Sequence, residues 1–236
     1  MNIHETDGST FDPMGQALNV LGALLSIDPA DRDLDPVLLH FLAPDLSASW
    51  PLLSTRLVKS LQERIIETMK SDPSGGGVPS PAWRRSLHVA FCDLFVGPAP
   101  LAAPPWGSVY LEEEATLYGV STMELKSFLS AHGISATSPD GGPEDHFGTL
   151  CLIAAWLTSQ GRLDLLNELL GEHILPWAFA YLEALRQASL DIARDNPTAA
   201  FYSSTAELAA ATLHALQEER AISVTKKRLH HPQAVQ

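Results

Sequence analysis

Apolar residues recur every three or four positions through most of this chain, and Pro, Gly, Asp and Asn cut the recurrence into separate helices. Asp12-Pro13 opens a run carrying Leu18, Leu21, Leu24 and Leu25, and Asp28-Pro29 closes it. A short helix is expected near Pro36, with Val37, Leu38, Phe41 and Leu42, and Trp50-Pro51 reads as a turn. From Leu53 to Met69, the residues Leu57, Val58, Leu61, Ile65 and Ile66 share one face, while Lys59, Gln62, Glu63 and Lys70 lie elsewhere. That is an amphipathic helix. Trp83 to Phe95 predicts another. Ser121-Thr122-Met123-Glu124 has the form of a capping box, opening a helix through Leu125, Phe128 and Leu129 that Gly133 ends.

The strongest element is the run Thr149-Leu150-Cys151-Leu152-Ile153-Ala154-Ala155-Trp156-Leu157, stopped by Gly161. It is apolar nearly all round, which predicts a buried central helix starting at about Asp145. Arg162 to His173 follows, with Leu163, Leu166, Leu169 and Leu170 on one face, and Pro176 is expected to break it before Trp177 starts the next. Asn196-Pro197 caps a last long helix through Phe201, Leu208, Leu213 and Leu216. No stretch alternates as a strand would. The expectation is an all-α fold, a single globular domain over residues 1–236 with about nine to eleven helices.

Three stretches interrupt this pattern. Residues 71–81 hold three consecutive glycines among serines and prolines, a flexible linker. They lack the Lys and Ser/Thr of a phosphate loop. Between Gly97 and Ser108 the prolines force an extended path that carries Trp106, either a plug over the core or a recognition surface. From about residue 223 the chain is polar, with Lys226-Lys227-Arg228, and is expected to fray.

Composition narrows the function. The 236 residues carry 15 Lys and Arg against 28 Asp and Glu, a formal charge of -13. Nucleic acid is a poor partner for such a chain, whereas a basic peptide would be attracted. Mean hydropathy is +0.03, and no apolar run reaches the ~18 residues of a membrane span, so no stable membrane insertion and a cytoplasmic location are expected. Cys92 and Cys151 lie in apolar runs and read as buried free thiols. Arg84-Arg85, inside the chain, reads as a solvated face and not an export signal. The histidines look dispersed, with no i,i+4 pair in metal-site company, so neither metal nor cofactor is expected.

The chemistry-bearing stretch is Pro143-Glu144-Asp145-His146-Phe147-Gly148, at the mouth of the central helix. It reads as an N-terminal capping cluster, with the helix dipole favouring ionised Asp145 and disfavouring charged His146. Hydrolase, zinc-protease, C-x-x-C and dinucleotide motifs are missing from the sequence. Ser108 as nucleophile with His146 as base would be a minimal hydrolytic pair, but Ser108 has no nucleophile-elbow context. Glu112-Glu113-Glu114 reads as a solvated acidic face, with attraction of a basic ligand as the alternative.

Two blocks then carry a resemblance. The first is Leu94-Phe95-Val96-Gly97-Pro98, Pro104-Pro105-Trp106-Gly107-Ser108-Val109-Tyr110-Leu111-Glu112 and Leu117-Tyr118-Gly119. The second is Pro143 to Gly148, Ala154-Ala155-Trp156-Leu157 and Leu175-Pro176-Trp177. In this order they resemble the TorD/DmsD family of redox-enzyme maturation chaperones. The Pro-Pro-Trp-Gly-Ser form is similar to the DmsD branch, TorD-like relatives usually having Glu where Gly107 stands. The match is clear over about Phe91 to Tyr181 and weak before about 80 and after about 190.

The resemblance implies an all-helical, non-enzymatic chaperone. It would bind the twin-arginine signal peptide of a molybdopterin-dependent oxidoreductase and hold that catalytic subunit from the Tat translocase until cofactor insertion. The implied peptide-binding residues are Leu94, Pro105, Trp106, Gly107, Ser108, Gly119, Pro143, Glu144, Asp145 and His146. Tat translocase components and molybdenum-cofactor biosynthesis proteins are implied as further partners, with the protein a monomer and a dimer left open. Phe91, where relatives carry Trp, and Ala99, where an aromatic residue is usual, imply a roomier pocket. The competing readings are a nucleotide-binding or hydrolytic enzyme using Ser108 and His146, and a generic helical adaptor.

Overall fold

The computed structural model describes residues 12–70, 79–98, 100–114, 117–135 and 142–230. In order, its α-helices are α1 (Pro13–Leu24), α2 (Asp35–Phe41), α3 (Thr55–Lys70), α4 (Pro81–Phe91), α5 (Gly107–Leu111), α6 (Val120–Ala131), α7 (Phe147–Ser159), α8 (Leu163–Glu168), α9 (Leu175–Ile192) and α10 (Ala200–Glu219). Among the described residues there is no strand, only an isolated antiparallel bridge between Trp106 and His146. The all-α expectation holds. The bulk of the expected linker, 71–78, lies outside the described residues. Its far end is helix, with Ser80 capping α4 through a 3.1 Å bond from Trp83 N–H and Pro81 at the first position.

Tertiary contacts divide the chain into two compact units, residues 1–26, 106–178 and 217–236 in the first and residues 27–105 and 179–216 in the second. The core of the first unit is α1 against α7. A Cβ added at Gly22 would fall 2.8 Å from the Gly148 carbonyl oxygen, and one at Gly148 would fall 2.8 Å from that of Gly22. Glycine at both positions therefore lets the two backbones touch, and α7 is buried along most of its length. The second unit is built on aromatic side chains: Phe201 packs edge-on against Phe41 and Trp83, and Phe95 against Tyr202. Trp50, fully enclosed there, donates its indole N–H to Thr212 at 2.8 Å.

Pro176 does not break the chain. Residues Leu169–Ile174 form a π-helical turn joining α8 to α9, with Leu175 N–H bonded to the Leu170 carbonyl. Pro176 sits in the first turn of α9, where a missing N–H costs little. A second π turn, Cys92–Val96, extends α4 until Gly97, at φ 92°, ends it. The tail also departs from expectation. Over 223–230 it has no regular structure yet is docked: Thr225 N–H bonds the Gly171 carbonyl at 3.0 Å and His230 N–H bonds that of Tyr110 at 2.9 Å.

Candidate functional site

α7 begins two residues later than its sequence suggests, at Phe147, so Glu144 and Asp145 precede the helix and do not sit in its first turn. The cap is His146 itself, whose Nδ1 accepts the Gly148 N–H at 3.1 Å. In the neutral ring the proton then resides on Nε2. This frees Asp145 for a different task. Its Oδ2 accepts the Ser108 N–H at 2.7 Å and the Thr122 hydroxyl at 3.2 Å, and its backbone carbonyl accepts the Gly107 N–H at 3.1 Å. Asp145 thus supplies the start of α5 with the acceptor that Trp106, its own N-cap residue, does not. One carboxylate ties together the proline-rich loop, α6 and the mouth of α7.

The Trp106 and His146 rings meet edge to face, with centroids 5.9 Å apart. Trp177 forms a floor under Gly107, stacked on Tyr110 at 5.6 Å and edge-on to Phe147 at 6.0 Å. Gly107 lies so close to this floor that an added Cβ would be 2.8 Å from the indole. Beside this floor lies a small recess, open in part to solvent, lined by Gly107 and Trp177 together with Ser108, Ser121, Leu125, Asp145, His173 and Lys227. Two buried polar atoms there, Ser108 Oγ and Asp145 Oδ1, have no hydrogen-bond partner among the described residues, nor does Trp106 Nε1. Buried polar atoms without partners are costly unless a ligand or water completes them.

Charge is arranged around this recess. Lys227 pairs with Glu124 at 2.9 Å, and Lys126 pairs with Glu144 at 3.3 Å. Burial, and then the charge of Lys227, push His173 down to about 4 against the opposing pull of Glu172 and Glu124, so the ring is neutral at pH 7. The expected capping box at Ser121–Glu124 does not form. Gly119 is the N-cap of α6, and Glu112 instead accepts both the N–H and the hydroxyl of Ser121 at 2.8 Å. Glu112 is therefore a distant cap and not part of a solvated face. An added Cβ at Gly119 would fall 2.5 Å from the Glu112 side chain and displace it from Ser121.

The first unit thus brings together Trp106, Gly107, Ser108, Gly119, Pro143, Glu144, Asp145 and His146. Leu94 and Pro105 belong to the second unit, where Leu94 is buried in the π turn after α4. Phe91 is buried beside Phe95 and Tyr202 in that unit's core, and Ala99 lies outside the described residues. Thr122, Glu124, His173 and Lys227 were not legible as site residues, because their partners are distant in sequence. The Ser108–His146 pair lacks its defining contact: Ser108 Oγ is without a partner among the described residues, and His146 Nδ1 is taken by its own helix.

The second unit holds one further cluster. His88 and Cys92 are an i,i+4 pair, contrary to the dispersed reading of the histidines, and His88 Nδ1 lies 2.7 Å from Asp28 Oδ1. The ligand atoms of the three side chains fall within 4.8 Å of one another. Asp28, sixty positions from His88, made this cluster invisible in the sequence. Burial, with Asp28 and Asp93 adding their charge, pushes the Cys92 thiol up. Arg84 also escapes the solvated-face reading, since it binds Asp35 and the Pro29 carbonyl.

A profile of the nitrate reductase delta subunit family matches residues 49–183. The chain is 34% identical over 218 residues to the Tat proofreading chaperone DmsD of Salmonella paratyphi A, covering 92% of this chain and 96% of that protein. It is 30% identical over 220 residues to the probable Tat proofreading chaperone DmsD of Haemophilus influenzae, covering 89% and 93%. To the chaperone protein YcdY of Escherichia coli it is 31% identical over 166 residues, 69% of this chain and 76% of that one. The similarity therefore reaches well beyond Phe91 to Tyr181, into both ends of the fold.

Proposed function

The chain belongs to the TorD/DmsD family of redox-enzyme maturation chaperones, and from that premise we propose that it is a Tat proofreading chaperone whose first unit binds a twin-arginine leader. The client is the catalytic subunit of a molybdopterin-dependent oxidoreductase. The chaperone holds it in the cytoplasm until its cofactor is in place, then releases it toward the Tat translocase. Contacts with molybdenum-cofactor biosynthesis proteins belong to the same reading, as does a monomeric working form.

One observation carries this reading. Two sequence-distant segments, Trp106–Ser108 and Pro143–His146, meet through Trp106 and His146, and beside them Gly107, Ser108 and Asp145 line a recess where a carboxylate oxygen and a serine hydroxyl are buried without partners among the described residues. A guanidinium supplies the donors these atoms lack. Asp145 Oδ2 is already engaged, so Oδ1 would take an arginine through one bond rather than a bidentate pair. The apolar part of a leader has a surface available as well. Leu117, Tyr118, Val120 and Met123 are exposed at the start of α6, the helix that supplies Thr122 to Asp145 and Glu124 to Lys227. An apolar patch bordering acidic side chains suits a peptide that begins basic and turns greasy.

The test is a titration of a fluorescent twin-arginine leader, with a twin-glutamine leader as control. The parent should prefer the arginine form, and Trp106→Ala and His146→Ala should each weaken it about ten-fold or more with helicity intact, the loss expected of an aromatic anchor. Equal binding of the two leaders would remove the assignment, and recovery of unrelated partners alone from a pull-down would favour a generic adaptor.

A further inference from the structure

The tail docked on the first unit is the most unusual contact in the molecule, because it brings the chain's densest run of positive charge, Lys226-Lys227-Arg228, onto an acidic protein's candidate site. Lys227 lines the same recess as Asp145 and Ser108, and its ammonium sits 2.9 Å from Glu124 with only 21% of the side chain exposed. Leu229 follows the basic run, so the segment has the order of a leader in miniature, cations and then an apolar side chain.

The seat for this segment is built into the fold. In the π turn Leu175 N–H bonds the Leu170 carbonyl, so the next carbonyl, that of Gly171, would need a donor from Pro176, which has no N–H. Thr225 N–H fills that place at 3.0 Å, and the Thr225 hydroxyl bonds Glu172 at 2.5 Å. The approach is possible only at glycine: an added Cβ on Gly171 would lie 2.5 Å from the Ser223 carbonyl oxygen. His230 N–H on the Tyr110 carbonyl pins the far end. The tail is held by a handful of bonds and has no regular structure of its own, so it can be displaced.

We propose that residues 223–230 are an internal stand-in for the client leader, with Lys227 in the subsite that takes a leader cation and Glu124 as that subsite's acidic partner. This rests on the leader-binding reading above. A client then binds only by lifting the tail, so its apparent affinity is reduced by the fraction of time the tail is down. A tail seated nine-tenths of the time weakens the leader about ten-fold.

The experiment titrates the twin-arginine leader into the full-length parent, Lys227→Gln, Gly171→Ala and Glu124→Gln, and adds a synthetic peptide of residues 223–230 as competitor. Lys227→Gln and Gly171→Ala should both tighten leader binding, by up to about ten-fold, the opposite sign to Trp106→Ala. Glu124→Gln should weaken the competing tail peptide, and in that background Lys227→Gln should no longer tighten the leader. The His173 ring, followed by NMR, should titrate higher in Lys227→Gln, which reads the seating of the tail without any leader. If parent and both tail variants bind the leader equally, the stand-in is overturned and the chaperone reading survives. If none of them binds it, both fall together. An unchanged His173 titration would also overturn the seated tail.

Discussion

The carboxylate of Asp145 takes the backbone N–H of Ser108 at 2.7 Å, so a residue just before one helix caps another that lies 37 positions away. Removing it should therefore cost stability as well as binding. Asp145→Ala should destabilise the fold by about 1.5–3 kcal/mol, the range for buried hydrogen bonds to a charged group. Asp145→Asn, which keeps an acceptor for Ser108, should cost less. Urea unfolding of the three proteins checks the order.

Gly107 is held against the Trp177 indole at a distance no side chain can share. Gly107→Ala should cost about 1–3 kcal/mol through overpacking. The hydrogen bond from Trp177 Nε1 to the His173 carbonyl, 2.7 Å long, should lengthen as the ring gives way. A shift in tryptophan emission together with a lowered Tm is the expected signature. Gly133→Ala, in open space with φ +66°, should cost only the strain of its backbone and leave emission unchanged.

His173 makes stability depend on pH with a definite sign. Its folded value is pushed down from 6.5 to about 4, so between those values the unfolded chain binds more protons than the native one. The stabilisation is fully present above about 6.5 and is lost as pH falls toward about 4. Because the ring is partly exposed, the loss should be on the order of 1–2 kcal/mol. His173→Gln should flatten the stability profile over that window, as measured by denaturant midpoints from pH 7.5 to 4.

The two thiols should both be sluggish nucleophiles. Cys151, buried in α7, is pushed up to about 12 by burial alone. Cys92 is raised by burial and then by Asp28 and Asp93. Alkylation with iodoacetamide at pH 8 should label Cys92 slowly and Cys151 only on unfolding. Asp28→Asn should speed Cys92, and an unchanged rate would show that the carboxylate does not govern it.

Periodicity alone was enough for the all-α architecture, because burial of one helical face leaves its spacing in the sequence. It could not assign Gln62, placed by spacing on a polar face yet buried, with its amide donating to the Phe41 and Ala43 carbonyls at 3.0 and 2.7 Å. Nor could it foresee the π turn at Pro176, which depends on what the freed Gly171 carbonyl can find.

By itself the sequence determined the helices, the acidic charge and two motif blocks whose family resemblance singled out Trp106, Ser108, Asp145 and His146. Only the tertiary structure decided that Asp145 serves Ser108 and Thr122, that His146 caps its own helix, and that a tail expected to fray lies with Lys227 in the recess. The reason is physical. Local spacing encodes which face of a helix avoids water, whereas a hydrogen bond or an ion pair is chosen by whichever partner the folded chain brings within about 3 Å.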